Sequence, residues 1–227
     1  MKYTIIFLIA AMLISCADEF QGRPEVFEDD FEYYTAGEYP DSSPWFNVMP
    51  GSDSTRIVSG IAYSGNKSFR LNGWPNWERV EKVNQFDPQN YLKIRELTYQ
   101  FAVMIPDSST VGAAAGPAVD IEYEEKETDG FNCIIFASED SFIYVKGISR
   151  VRTNCSWTRN SWYHVKVRLD YDNLLMYVWV NGQEIASGIE SADERSSITF
   201  SIATEWRPIP GISIAYFDDI DMFASPF

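Results

Sequence analysis

Ser156 to Gly188 reads S-W-T-R-N-S-W-Y-H-V-K-V-R-L-D-Y-D-N-L-L-M-Y-V-W-V-N-G-Q-E-I-A-S-G, and three strands joined by two turns can be drawn on it directly. Tyr163, Val165, Val167 and Leu169 alternate with His164, Lys166, Arg168 and Asp170, the period of a half-buried strand. Asp170-Tyr171-Asp172-Asn173 is a turn cluster, and Leu174 to Val180 follows as a second strand rich in branched and aromatic residues. Asn181-Gly182 then specifies a two-residue hairpin of the positive-φ type, returning through Gln183 to Ala186. Pairing Leu169 with Leu174 sets Val167 opposite Met176 and Val165 opposite Val178, and the Asn-Gly turn sets Val178 opposite Ile185. One face of this meander is aliphatic and belongs to a core. The other gathers Tyr177 and Trp179 beside His164, Lys166, Arg168 and Glu184. Two large rings among charges make that face the first candidate for a binding surface. The competing reading packs the rings beneath a loop or a second layer, since large aromatics are highly buried on average.

Outward from this meander the same grammar continues. Arg56 to Ser59 and Lys67 to Leu71 flank the turn Tyr63-Ser64-Gly65-Asn66, and Leu92 to Ile105 is a strand stopped by Pro106. Val119 to Glu125, Phe131 to Ala137, Phe142 to Lys146 and Arg150 to Cys155 read as strands, as do Ile198 to Thr204 and Ile212 to Phe223. Gly37 to Pro50, with its prolines, reads as an ordered crossing loop. Ser108 to Pro117, rich in Gly and Ala, reads as a flexible loop. No stretch offers caps with a 3.6-residue period. A dozen or so short strands predict an all-β fold, a two-sheet antiparallel jelly-roll sandwich.

The 227 residues open with a different kind of segment. Met1 to Ser15 carries one early lysine, Lys2, and the apolar run Ile5 to Ile14, too short to span a bilayer and laid out as a secretory signal. Leu13-Ile14-Ser15-Cys16 resembles a bacterial lipobox, in which cleavage leaves lipidated Cys16 at the new N-terminus; a plain secretory peptide is the competing reading. The expected organisation is a lipoprotein signal peptide over 1–15, a polar linker over 16–24 and one β domain over 25–227, exported and held on a bacterial outer membrane or cell surface by the lipid alone. Without Lys2 the chain has 17 basic against 33 acidic residues, which excludes nucleic acid and anionic membrane surfaces as partners. In an oxidising compartment Cys133 and Cys155 are either a disulfide or two buried thiols.

A family resemblance becomes specific at several motifs. Trp162-Tyr163-His164-Val165-Lys166-Val167 precedes Tyr177-Val178-Trp179-Val180-Asn181-Gly182, and the chain opens on Asp29-Asp30-Phe31-Glu32 with Gly37 and Pro40. The turn Ser64-Gly65-Asn66-Lys67-Ser68-Phe69 and the closing Tyr216-Phe217-Asp218-Asp219-Ile220 complete the set. Together they resemble the concanavalin A-like, laminin-G-like jelly-roll domains over most of the chain. That family includes lectins, carbohydrate-binding modules, glycoside hydrolases and polysaccharide lyases, so the resemblance implies a fold before an activity.

Catalytic chemistry has one candidate. Asp120-Ile121-Glu122-Tyr123-Glu124 places Asp120, Glu122 and Glu124 on one strand face, neighbours ~6.6 Å apart at a rise of ~3.3 Å per residue. This is close to the separation a two-carboxylate glycosidase uses, and is similar to the acidic strand of laminarinase-type hydrolases. The leading Glu of that pattern is Ala118 here, and an acidic solvent face running on into Glu125 is the competing reading. His164 is the sole histidine, so a zinc site of two or three histidines is excluded. A lyase could be assembled from Tyr177, His164 and Arg168.

The aromatic pattern favours binding. Trp74, Trp77 and Trp206 sit in loop-like segments, where an indole can stack on a sugar or anchor its loop. With Tyr177, Trp179 and Arg168 they are the expected ligand contacts of a surface-anchored, non-catalytic carbohydrate-binding module whose partner is a glycan or polysaccharide. The alternative is an assembly lipoprotein that docks a protein partner, and a glycoside hydrolase or lyase stands third. The resemblance further implies a structural calcium. First and last strands usually pair in such jelly rolls, bringing Glu28, Asp29, Asp30 and Glu32 near Asp218, Asp219 and Asp221. The implied ligands are Glu32 and Asp218, with Asp30, Asp219 and the turn at Asn66 as further donors.

Overall fold

Alternating apolar residues fold here into paired layers. The computed structural model describes residues 25–40, 45–49, 55–72, 77–80, 94–117, 132–193, 200–204 and 212–226. These residues form fifteen strands and no helix. The first sheet runs, edge to edge, β13 (Gln183–Glu190), β12 (Leu175–Val180), β11 (Trp162–Asp170), β6 (Ile94–Met104), β15 (Ile214–Pro226), β4 (Lys67–Asn72) and β3 (Arg56–Ser59), with β1 (Glu25–Asp29) pairing β15 as well. The second runs β10 (Arg150–Ser156), β9 (Phe142–Lys146), β8 (Cys133–Phe136), β7 (Ala113–Gly116), β14 (Phe200–Thr204), β5 (Trp77–Val80) and β2 (Trp45–Met49). Neighbours are antiparallel throughout. The fold is therefore the all-β, two-sheet antiparallel sandwich that the turn spacing predicts.

One face of each sheet makes the core. Val165, Val167 and Leu169 of β11, Tyr99 and Phe101 of β6, and Met176 and Val178 of β12 pack with Ile134, Phe136, Ile143, Phe200 and Ile202 of the second sheet. At roughly 1.5–3 kcal/mol per fully buried large apolar side chain, this shared layer is the main force closing the sandwich.

The faces of the meander are as expected, and its register is corrected. Val165 pairs with Val180, Val167 with Val178 and Leu169 with Met176, while Val178 pairs with Ala186. Asp170 pairs with Leu175, so Leu174 belongs to the turn, where it adopts φ 54°. Between β11 and β12 the slip is two residues, which preserves parity, so each side chain keeps its face while changing its partner; between β12 and β13 the expected register holds at Trp179–Glu184, and bulges beyond it shift Val178 by one residue onto Ala186. The hairpin Asn181-Gly182 has φ of 50° and 78°, as a turn with two positive-φ residues requires.

Two segments read as loops are strands. Ala113–Gly116 is buried β7, hydrogen-bonded to β14 and β8, where small side chains let the layers approach. Trp45–Met49 is β2, at the edge of the second sheet. Cys133 and Cys155 are not bonded to each other. β9 lies between their strands, putting the backbones about 10 Å apart, beyond the ~7 Å a disulfide allows. They also serve different faces: Cys133 packs with Ala114 and Ile135 outside the main core, and Cys155 packs against that core.

Candidate functional site

The face of the first sheet that turns away from the core carries the chemistry. Strand pairing aligns Glu28, Asp221, Gln100, Lys166, Trp179 and Glu184 in one row across β1, β15, β6, β11, β12 and β13. Their flanking residues along each strand, such as Tyr99, Phe101, Val165 and Val178, are core, so alternation alone sends the row outward. Beside it Arg168 pairs with Tyr177 and with Thr98.

At the β12 end the rings form a platform. Tyr177 and Trp179 are half-buried and stacked, centroids 6.5 Å apart at 22°. The Arg168 guanidinium carbon lies 4.3 Å from the Tyr177 centroid and 5.9 Å from that of Trp179, and Lys166 Nζ lies 5.5 Å from Trp179. Arg168 Nε also faces Glu96 Oε2 at 3.9 Å. Cations over ring faces fix the orientation of the rings while leaving them at the surface.

At the β1–β15 end lies a cleft of about 370 Å³, lined by Glu28, Asp30, Asp219 and Asp221 with Tyr63 and His164, and floored by Gln100. Tyr63 is 44% exposed and stacks on His164, centroids 5.9 Å apart at 21°. Burial holds the imidazole below its usual range; neighbouring Lys166 adds to this and the Asp219 carboxylate opposes it. Gln100 Nε2 donates to Asp221 Oδ2 at 2.6 Å.

The loop carrying Tyr63 is held by acidic residues from both chain ends. Asp218, fully buried, accepts from the backbone N–H groups of Tyr63 (2.7 Å) and Ser64 (3.3 Å) on one oxygen and from that of Asp219 (2.9 Å) on the other. Ser64 Oγ donates to Asp219 Oδ1 at 2.7 Å. Glu32 Oε1 accepts from the N–H of Asn66 (2.6 Å) and of Lys67 (2.5 Å), and those donors hold its carboxyl below the usual range. Gly65 (φ 57°) is required where it stands, since a Cβ there would meet Glu32 Oε1 at 2.5 Å. Burial pushes Asp218 up to about 7 despite its three donors, with the Asp219 charge assisting.

This arrangement bears on calcium. β1 and β15 do pair, Glu28 opposite Asp221 and Asp29 opposite Ile220; Glu28, Asp30, Asp219 and Asp221 line the cleft, while Asp29, Glu32 and Asp218 are drawn to other partners. Asp29 turns inward to Trp45 Nε1 (2.7 Å), the Tyr34 hydroxyl (2.8 Å) and the Phe31 N–H (3.0 Å). Asp30 accepts from the Glu32 N–H at 3.1 Å. Glu32 and Asp218 meet N–H groups where calcium would want oxygens, and among the described residues no three Asp, Glu, His or Cys side chains converge on one point. As placed, they form no shell of six to eight oxygens.

Of the remaining expected site residues, Tyr177, Trp179 and Arg168 come together as described. Trp77 opens β5 in the second sheet, opposite Ala203, so it shares no face with them. Trp74, Trp206, Asp120, Glu122, Glu124 and Cys16 lie outside the described residues. The lyase trio is not assembled: Arg168 caps Tyr177, whereas His164 sits four residues away on β11, about 13 Å along the strand, against Tyr63. The sequence reading placed Asp221 near Glu28, where it lies, but assigned no site role to Tyr63 or Gln100. Gln100 alone had a local signal, a polar residue between core Tyr99 and Phe101.

No protein-family model and no curated protein matches the sequence. Among solved structures, a sialidase superposes with a TM-score of 0.60 at 10% identity, over 87% of this chain and 18% of its own. A Trypanosoma rangeli sialidase in complex with 2,3-difluorosialic acid superposes with a TM-score of 0.51 at 15% identity, over 81% and 30%. This chain thus spans less than a third of the length of either, and the likeness is one of fold. Among the described residues no helix is long and apolar enough to cross a membrane.

Proposed function

We propose that this chain is a non-catalytic carbohydrate-binding module carried on a lipid-anchored surface protein. The observation that carries the reading is the stacked Tyr177–Trp179 pair, held at the surface by Arg168 and Lys166 on a face that no core packing requires. A sugar's C–H face stacks on such rings with little loss of side-chain freedom, and the neighbouring Glu96, Glu184 and Gln100 supply hydrogen-bonding partners for hydroxyls. The sandwich shared with sialidases is compatible with this reading but does not choose it. Screening on a glycan array and titrating the best binder is expected to show affinity that falls about fivefold for Trp179→Ala and again for Tyr177→Ala. Binding of no glycan, or affinities untouched by both changes, would remove the proposal.

The anchor is proposed from Leu13-Ile14-Ser15-Cys16. Intact mass of the membrane-extracted protein is expected to match a chain that starts at acylated Cys16; an unmodified chain starting elsewhere ends that part. Calcium is proposed only in competition with the amides that now meet Glu32 and Asp218. Melting in calcium should then occur at a higher temperature than in chelator, and Asp218→Ala should abolish the difference. Equal melting temperatures in the native chain would dismiss the ion.

A further inference from the structure

We infer that the cleft at Tyr63 is a second sugar subsite, separate from the Tyr177–Trp179 platform, in which Tyr63 is the ring that stacks on the ligand. This rests on the carbohydrate reading above and adds a second point of attachment on the same sheet face. Trp162, His164, Lys166 and Arg168 all leave β11 on that face, since Val165, Val167 and Leu169 between and beyond them are core. The face therefore carries two groups of rings. Tyr177 and Trp179 lie opposite Arg168 and Lys166, whereas Trp162 and His164 lie toward the start of β11, with Tyr63 against both.

Tyr63 is placed as a ligand-binding ring needs to be. It stacks on His164 and meets Trp162 at 61° with centroids 6.0 Å apart, yet 44% of it stays exposed, and it lines the cleft. The loop beneath it is fixed from several sides. The N–H groups of Tyr63 and Ser64 go to fully buried Asp218, and Ser64 Oγ goes to Asp219. The Gly60 N–H donates to the Asn66 carbonyl at 2.9 Å, and Ser68 Oγ to that of Ile61 at 2.5 Å. Lys67 Nζ reaches back to the carbonyls of Glu32 and Tyr34, both at 2.7 Å. A half-exposed ring contributes little to stability and needs no such scaffold for that purpose. A ring that meets a ligand gains from it, because the loop is ordered on folding and not on binding. The cleft, about 370 Å³, lies at the small end of the ~300–1,000 Å³ that small-molecule sites occupy, room for a sugar unit beside the ring. Ser64 Oγ and the Gln100 amide, both at its wall, offer hydrogen bonds to the hydroxyls of that unit.

Lys166 separates the two groups. Its Nζ lies 5.5 Å from the Trp179 centroid, and His164 is two residues, ~6.6 Å, further along β11, with its ring against Tyr63. A small sugar stacks on one group or on the other.

NMR titration of isotope-labelled protein with cellobiose, xylobiose and N,N′-diacetylchitobiose follows both subsites in one sample, through the Trp179 indole N–H and the Ser64 amide. At least one disaccharide is expected to move both signals. Tyr63→Ala should weaken the Ser64 response about fivefold, while Tyr63→Phe, which keeps the ring, should stay within about twofold of the native chain. The Trp179 signal reports in each variant that the sheet is still folded. If every disaccharide that moves Trp179 leaves Ser64 still, the second subsite is overturned; so it is if Tyr63→Ala keeps native affinity at Ser64, or if Tyr63→Phe is as weak as Tyr63→Ala. Loss of the Ser64 response in Trp179→Ala would merge the two subsites into one and overturn their separation. A response confined to Ser64 and lost in Tyr63→Ala would uphold the cleft and remove the platform. No response at either signal with any of the three sugars would remove both.

Discussion

Phe69→Ala is expected to destabilise the domain by about 3–5 kcal/mol, a large part of what holds an ordinary domain folded. Phe69 is fully buried in β4, and three rings close around it: Phe31 and Trp45 at centroid distances of 5.5 Å and Tyr39 at 5.8 Å. Those partners come from the turn after β1, from β2 and from the segment leading to it. Removing the ring therefore opens a cavity among four segments at once. Trp45 in turn donates to buried Asp29, so loss of packing at Phe69 also loosens the donor set of a buried carboxylate. Urea unfolding of the variant beside Tyr33→Ala makes the comparison internal, because Tyr33 is 93% exposed and should change stability by no more than about 0.5 kcal/mol. Similar midpoints for the two variants would show that this aromatic cluster contributes little.

The pH dependence of stability should carry the mark of Asp218. Its folded pKa, about 7, exceeds its ordinary 3.8, so the folded state holds the proton more tightly than the unfolded chain. Protonation thus favours folding. The contribution is complete below pH 3.8 and is lost as pH rises to about 7, on the order of 4 kcal/mol in all. Asp29, also raised by burial, acts in the same direction. Glu32, Asp140 and Asp170 are lowered and act oppositely, but their contributions are lost only as pH falls below the ordinary carboxylate range. His164, held below 6.5, opposes Asp218 inside the window. The difference between native and Asp218→Asn proteins isolates the effect: relative to the variant, native stability should decline steadily from about pH 4 to about pH 7. Parallel profiles across that range would contradict it.

The strands that could be read from sequence are those whose alternation is supplied by branched and aromatic residues. Tyr163 to Leu169 and Leu175 to Val180 announce both their faces, and so the ring-bearing side of the candidate site was legible before any coordinates. Their register was not, because it depends on whether Leu174 enters the strand or the turn; a leucine at positive φ is a choice the local sequence disfavours. β7 escaped for a different reason. Ala113-Ala114-Ala115-Gly116 has no large residue to mark a period, and its burial comes from β8 and β14, far away in the chain. The cleft was illegible on the same ground: Tyr63, Gln100, His164 and Asp221 meet only after four separate segments have been paired. The acidic chain ends were placed together correctly as strands. Their individual donors, such as Trp45 on Asp29, follow from tertiary packing that no spacing rule encodes.

The position of β15 also sets an order of events in time. It is the last described strand to be synthesised, yet it lies between β6 and β4 and also receives β1. Before residues 214–226 leave the ribosome, β6 and β4 each present an open, apolar edge with no strand to fill it. Such edges recruit other chains. Assembly therefore waits on its latest-made component, and the early strands must be kept apart until it arrives. β15 joins both halves of the sheet through pairings between segments distant in sequence, which form slowly, so the open edges persist until it docks.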